Sequence, residues 1–99
     1  MKKTFLGLAT AASLMAGVAI SAAEPVKVGM ITTLSGGGAS LGIDVRDGFQ
    51  LAVKQSGRTD IELIIEDDAQ KPDLAVQLSD KLLQSDKVDV MTGIIWSNL

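Results

Sequence analysis

The sequence has 99 residues with 9 basic and 12 acidic side chains, and it contains neither cysteine nor histidine. That composition excludes thiol catalysis, disulfides, Cys/His zinc sites and histidine acid–base chemistry. An acidic chain without a basic cluster is also a poor partner for nucleic acid.

Residues 1–23 read as a secretory signal peptide. Lys2 and Lys3 form a positive start, residues 4–20 are uncharged and mostly apolar, and Ser21, Ala22 and Ala23 put small residues before a cut after Ala23. The rival reading is a transmembrane anchor, which needs about 20 strongly apolar residues. Gly7, Thr10, Ser13 and Gly17 dilute this stretch, and the Glu24-Pro25 pair after it fits cleavage better. The functional part is therefore residues 24–99, exported and without a cysteine to carry a lipid. It is more acidic than the whole, because Lys2 and Lys3 leave with the leader. A domain this small has little core to spare, and the chain is expected to be the first part of a longer protein.

Residues 26–34 (VKVGMITTL) are β-branched and apolar, the pattern of a strand buried on both faces in a parallel sheet. Residues 35–42 (SGGGASLG) form a glycine-rich turn. From Ile43 to about Gln55 the period changes. Val45, Phe49, Ala52 and Val53 fall on one helical face, Asp44 and Asp47 sit where the helix dipole favours acids, and Gly57 is placed to end the helix. Residues 61–66 (IELIIE) are a second strand, followed by Asp67 and Asp68. Pro72 opens a second helix with Leu74, Ala75, Leu78 and Leu82 as its buried stripe. Residues 88–92 (VDVMT) are a third strand. Ser97 and Asn98 suit the start of a third helix.

The order strand–helix–strand–helix–strand predicts an α/β fold, a doubly wound parallel sheet built from right-handed βαβ crossovers. In such open sheets ligands bind outside the carboxyl ends of the strands. Three segments occupy that edge: residues 35–42, 67–71 and 93–98. The glycine loop reads G-x-G-x-x-x-G, whereas the dinucleotide fingerprint needs glycine at position 41, which is Leu41. No G-x-x-x-x-G-K-[ST] phosphate loop is present. No cofactor is expected, and the glycines are read as turn formers. Asp67 and Asp68 are read as loop formers that accept backbone N–H bonds rather than as paired catalytic carboxylates. Trp96, the one tryptophan, divides between core packing and a pocket wall.

Taken in order, VKVGMITTLSGGGASLG, GFQLAV, IELIIEDD, KPDLAVQLSDKLL and VDVMTG with its IIWSN ending resemble the N-terminal stretch of the leucine/isoleucine/valine-binding protein family. These are periplasmic solute receptors of branched-chain amino acid ABC transporters, with relatives that carry aromatic acids and amides. The resemblance implies a type I periplasmic-binding-protein lobe, of which this chain holds the first βαβαβ part. It implies a carboxylate-binding serine after the third strand in a G-x-x-x-S arrangement, which falls on Ser97 here. Leu41 stands where the family often has an aromatic residue covering the ligand.

The expected function is capture of a small carboxylate-bearing solute, an amino acid or aromatic acid, in the periplasm and its delivery to a membrane ABC permease, without catalysis. The candidate ligand-binding residues are Ser97, Asn98, Trp96, Leu41 and Ser35. Two other functions compete: a ligand-sensing lobe feeding a receptor or regulator, and an exported enzyme on a dinucleotide-binding fold.

Overall fold

The computed structural model describes residues 24–99. The signal peptide expected at residues 1–23 lies outside them. The elements are β1 (Val26–Thr32), α1 (Ala39–Ser56), β2 (Ile61–Asp67), α2 (Pro72–Asp80) and β3 (Val90–Thr92), with one π turn, Lys81–Ser85, continuing α2. The three strands form one parallel sheet in the order β2-β1-β3. β1 pairs with β2 from Val26↔Ile61 to Thr32↔Asp67. It pairs with β3 from Val28↔Val90 to Met30↔Thr92.

The central place of β1 follows from its composition. A strand with a neighbour on each side and helices over both faces has no wet face, so its apolar run is continuous. Val28, Met30 and Ile31 are buried, the last two completely. Full burial of side chains this size stabilises by about 1.5–3 kcal/mol each. Because β1 lies between its neighbours, the crossover to β2 and the crossover to β3 run in opposite directions. Both being right-handed places α1 on one face of the sheet and α2 on the other.

The expected α2 stripe holds. Ala75 and Leu82 are buried, and Leu74 and Leu78 are half-buried. Leu82 reaches the sheet over Gly29, with its Cδ1 3.0 Å from where a Cβ on that glycine would stand. Pro72 opens the helix as expected, and Asp73 lies in its first turn. Gly57 ends α1 in the left-handed region at φ 70°, its N–H donating to the Lys54 carbonyl.

α1 differs from its expected form. It begins at Ala39, four residues before Ile43, so Asp44 and Asp47 are not in its first turn. Gly42 is inside the helix and is its buried residue. A Cβ there would stand 1.6 Å from the Thr33 carbonyl oxygen, so the glycine serves close packing of α1 on the end of β1. Of the expected stripe, Phe49 and Val53 are half-buried, while Val45 and Ala52 are exposed. The helix packs closely on the end of β1 at Gly42, and two of the four stripe residues stay exposed.

The other boundaries move by a few residues for identifiable reasons. β1 stops at Thr32, because the next free N–H, on Leu34, donates to the Asp67 carboxylate instead of to a neighbouring strand. β3 starts at Val90, since Val88 donates back to the Leu82 carbonyl. Ser97 and Asn98 form a turn in which Leu99 N–H donates to the Trp96 carbonyl at 3.2 Å. The third helix expected to start there is not formed among the described residues.

Candidate functional site

A sheet in the order β2-β1-β3 has its topological switch point between β1 and β3, since the chain leaves β1 toward one side and returns on the other. In open α/β sheets the loops after two such strands diverge at the carboxyl edge, which is where ligands bind. Residues 33–38 after β1 and residues 93–99 after β3 are those loops. Trp96 joins them. Its indole Nε1–H donates to Thr33 Oγ at 2.9 Å. Its Cζ2 stands 2.6 Å from where a Cβ on Gly38 would be, and the Gln70 side chain approaches the same point at 3.0 Å. Any side chain at position 38 would therefore displace the indole.

Behind Trp96 lies a buried polar pair. Thr33 and Asp68 are both fully buried. The Thr33 hydroxyl donates to Asp68 Oδ1 at 2.6 Å, and Gln70 N–H donates to the same oxygen at 2.9 Å. Asp68 Oδ2 and the Thr32 hydroxyl are buried without a partner among the described residues.

Asp67 works at the other side of the β2 end. Its Oδ1 accepts Leu34 N–H and Ala69 N–H, both at 2.8 Å. Burial pushes its carboxyl up, but the Ser35 hydroxyl and the backbone N–H groups of Leu34, Ala69 and Ser35 outweigh that and hold it below the usual carboxylate value. The two aspartates also stabilise an unusual turn. Ala69 and Gln70 both have positive φ, 49° and 58°, which non-glycine residues adopt at a cost of about 1–3 kcal/mol each. Each receives its compensation as a carboxylate bond to its own N–H. The loop-forming reading of this pair is thus what the geometry contains.

A pH dependence follows from the lowered Asp67. Its contribution is complete above the unfolded carboxyl value of about 3.9 and is lost as pH falls through the lower folded value. The parent protein is expected to lose more stability than Asp67→Asn between about pH 6 and about pH 2. Urea midpoints across that range measure this, and equal losses would contradict it.

Of the expected site residues, Trp96 is brought against the glycine loop. Ser97 and Asn98 follow it in the exposed turn. Ser35 is exposed, and its hydroxyl helps to keep the Asp67 carboxyl low. Leu41 lies in the first turn of α1, 53 % exposed. Sequence reasoning missed Thr33 and Gln70, and it gave Asp68 its loop-forming role but not its bond to Thr33. The signal for Thr33 was present, since two threonines close an otherwise apolar strand. An open depression of about 580 Å³ adjoins this edge at the start of α2, lined by Gln70, Lys71, Pro72, Asp73, Leu74 and Gln77. Among the described residues, no group of three His, Cys, Asp or Glu side chains is placed to hold a metal.

In open α/β sheets ligands bind where loops gather at such a switch point, and here an aromatic ring is held across those loops. The chain belongs to the periplasmic binding protein family, whose model matches residues 25–99. The resemblance to solute receptors of the leucine/isoleucine/valine-binding type is borne out. An ABC transporter substrate-binding protein from Sphaerobacter thermophilus is 37% identical with a TM-score of 0.73, over 76% of this chain and 21% of that one. A solute-binding protein of an ABC transporter from Rhodopseudomonas palustris, solved with benzoate, is 35% identical with a TM-score of 0.71, over 75% of this chain and 22% of that one. Another from Rhodopseudomonas palustris BisB5, solved with 3,4-dihydroxybenzoic acid, is 38% identical with a TM-score of 0.65, over 68% of this chain and 20% of that one. The chain thus spans about a fifth of the length of these relatives. Among curated proteins no match is found.

Proposed function

We propose that this chain is the first part of a periplasmic receptor that captures a small carboxylate-bearing solute, an amino acid or aromatic acid, and delivers it to a membrane ABC permease. The observation that carries this reading is the indole of Trp96, held at the β1/β3 switch point by Thr33 and directly followed by Ser97 and Asn98. The ring supplies an apolar wall. The Ser97 hydroxyl and the N–H groups of the turn that have no partner among the described residues supply donors for an anionic group without a lysine or arginine. Two relatives that are 38% and 35% identical to this chain over the matched stretch were solved with 3,4-dihydroxybenzoic acid and benzoate, whose flat ring and carboxylate match those two halves. Binding here changes no bond in the ligand. Its consequence is closure of the receptor, read by the membrane partner.

Isothermal titration of the intact protein with benzoate, 3,4-dihydroxybenzoate and leucine tests this. Saturable binding of at least one of them, with the ligand recovered unchanged, is the expected result. Turnover of the ligand, or tight binding of NAD in its place, would overturn it.

A further inference from the structure

Asp68 is a carboxyl group at 0 % exposure with no cation beside it among the described residues. Burial of such a group is costly unless hydrogen bonds offset it, yet only Oδ1 has partners. What that oxygen holds is informative. Thr33 has one hydroxyl proton, and it goes to Asp68 at 2.6 Å. The lone pairs of the hydroxyl are thereby turned toward the indole N–H, which is a donor only. The direction of the chain is fixed: Trp96 Nε1–H to Thr33 Oγ, Thr33 Oγ–H to Asp68 Oδ1. Without an acceptor at position 68 the hydroxyl rotates, and one of its rotor states aims its proton at the indole N–H. Chains of this kind also polarise one another inside a protein. The same Oδ1 takes Gln70 N–H, and the Gln70 side chain borders the indole at Gly38.

We propose that Asp68, acting through Thr33, is a positioning residue for Trp96 and sets the plane of the ring that the ligand meets. That Trp96 is a pocket wall rests on the function proposed above; that Asp68 fixes the ring does not. Neither Asp68 nor Thr33 needs to touch ligand. Both act on the ring from behind.

The test uses the intact protein labelled with 5-fluorotryptophan, the Trp96 resonance being assigned by its loss in Trp96→Phe. Thr33→Val keeps the shape of the side chain and removes the relay, and Asp68→Ala removes its terminus. Thr33→Ser keeps the hydroxyl, and Asp68→Asn keeps a carbonyl oxygen for both donors. The first pair is expected to shift or broaden the Trp96 resonance, and the second pair to retain it. Benzoate affinity should fall roughly fivefold in Thr33→Val, the scale of one lost neutral hydrogen bond, and stay near parental in Thr33→Ser. If Asp68→Ala does not fold, the two Thr33 variants still decide. A folded Thr33→Val whose Trp96 resonance stays at the parental position overturns the proposal. Resonances that move as expected in a protein that binds no benzoate support the positioning role and reject the ligand assignment instead.

Discussion

Gly42→Ala is expected to destabilise the protein by more than about 3 kcal/mol, beyond the usual range for an overpacked core. Two effects oppose one another. In an exposed helix interior alanine is favoured over glycine by about 1 kcal/mol. Here the added Cβ would stand 1.6 Å from the Thr33 carbonyl oxygen, 2.5 Å from its carbon and 2.9 Å from its nitrogen. All three are backbone atoms at the end of the central strand, so no rotamer change relieves the contact. Either α1 lifts from the sheet or the end of β1 moves, and Thr33 carries Trp96 with it. Natural domains have about 5–15 kcal/mol of total stability, so a loss of this size is a large fraction of the whole. Guanidinium unfolding of the parent and the variant measures it. A variant as stable as the parent would show that the helix start is not packed on Thr33.

Ser97→Ala is expected to weaken binding of a carboxylate ligand by about 1.5–3 kcal/mol, the range for a hydrogen bond to a charged group, or roughly 10- to 150-fold in Kd. Stability should be nearly unchanged, because Ser97 is exposed in a turn and its side chain makes no hydrogen bond to the described residues. The amide analogue separates charge recognition from mere contact. Benzamide should lose most of the sensitivity to this substitution that benzoate has. Calorimetric titration of both ligands against both proteins gives the four affinities. Equal benzoate affinity in the parent and the variant would remove Ser97 from the site.

The fold was legible where one physical demand dominated the local sequence. β1 is apolar over its whole length because it is covered on both faces, and Pro72 marks the first turn of α2 because a missing N–H costs nothing there. Gly42 was misread because glycine serves two purposes. In sequence it ended the loop. In the structure it lies in a helix and lets the helix approach a carbonyl oxygen, a demand set by a strand end distant in the fold. Val45 and Ala52 had the right period for a buried face, but period alone does not say how much of the helix meets the sheet. At the site, the carboxyl edge and Trp96 could be picked out from strand order. The Thr33–Asp68 pair could not, since it depends on the register that sets Thr32 opposite Asp67. Only that register places the next residues, 33 and 68, within 2.6 Å of each other.

A crystal structure of the intact protein with benzoate bound is the most direct test of the proposed receptor function. The expected result is a ring packed on the indole of Trp96 at the β1/β3 switch point, with its carboxylate accepting from the Ser97 hydroxyl or the adjacent N–H groups. A benzoate seated elsewhere, with Trp96 and Ser97 making no contact to it, would contradict the assignment of this edge as the ligand site.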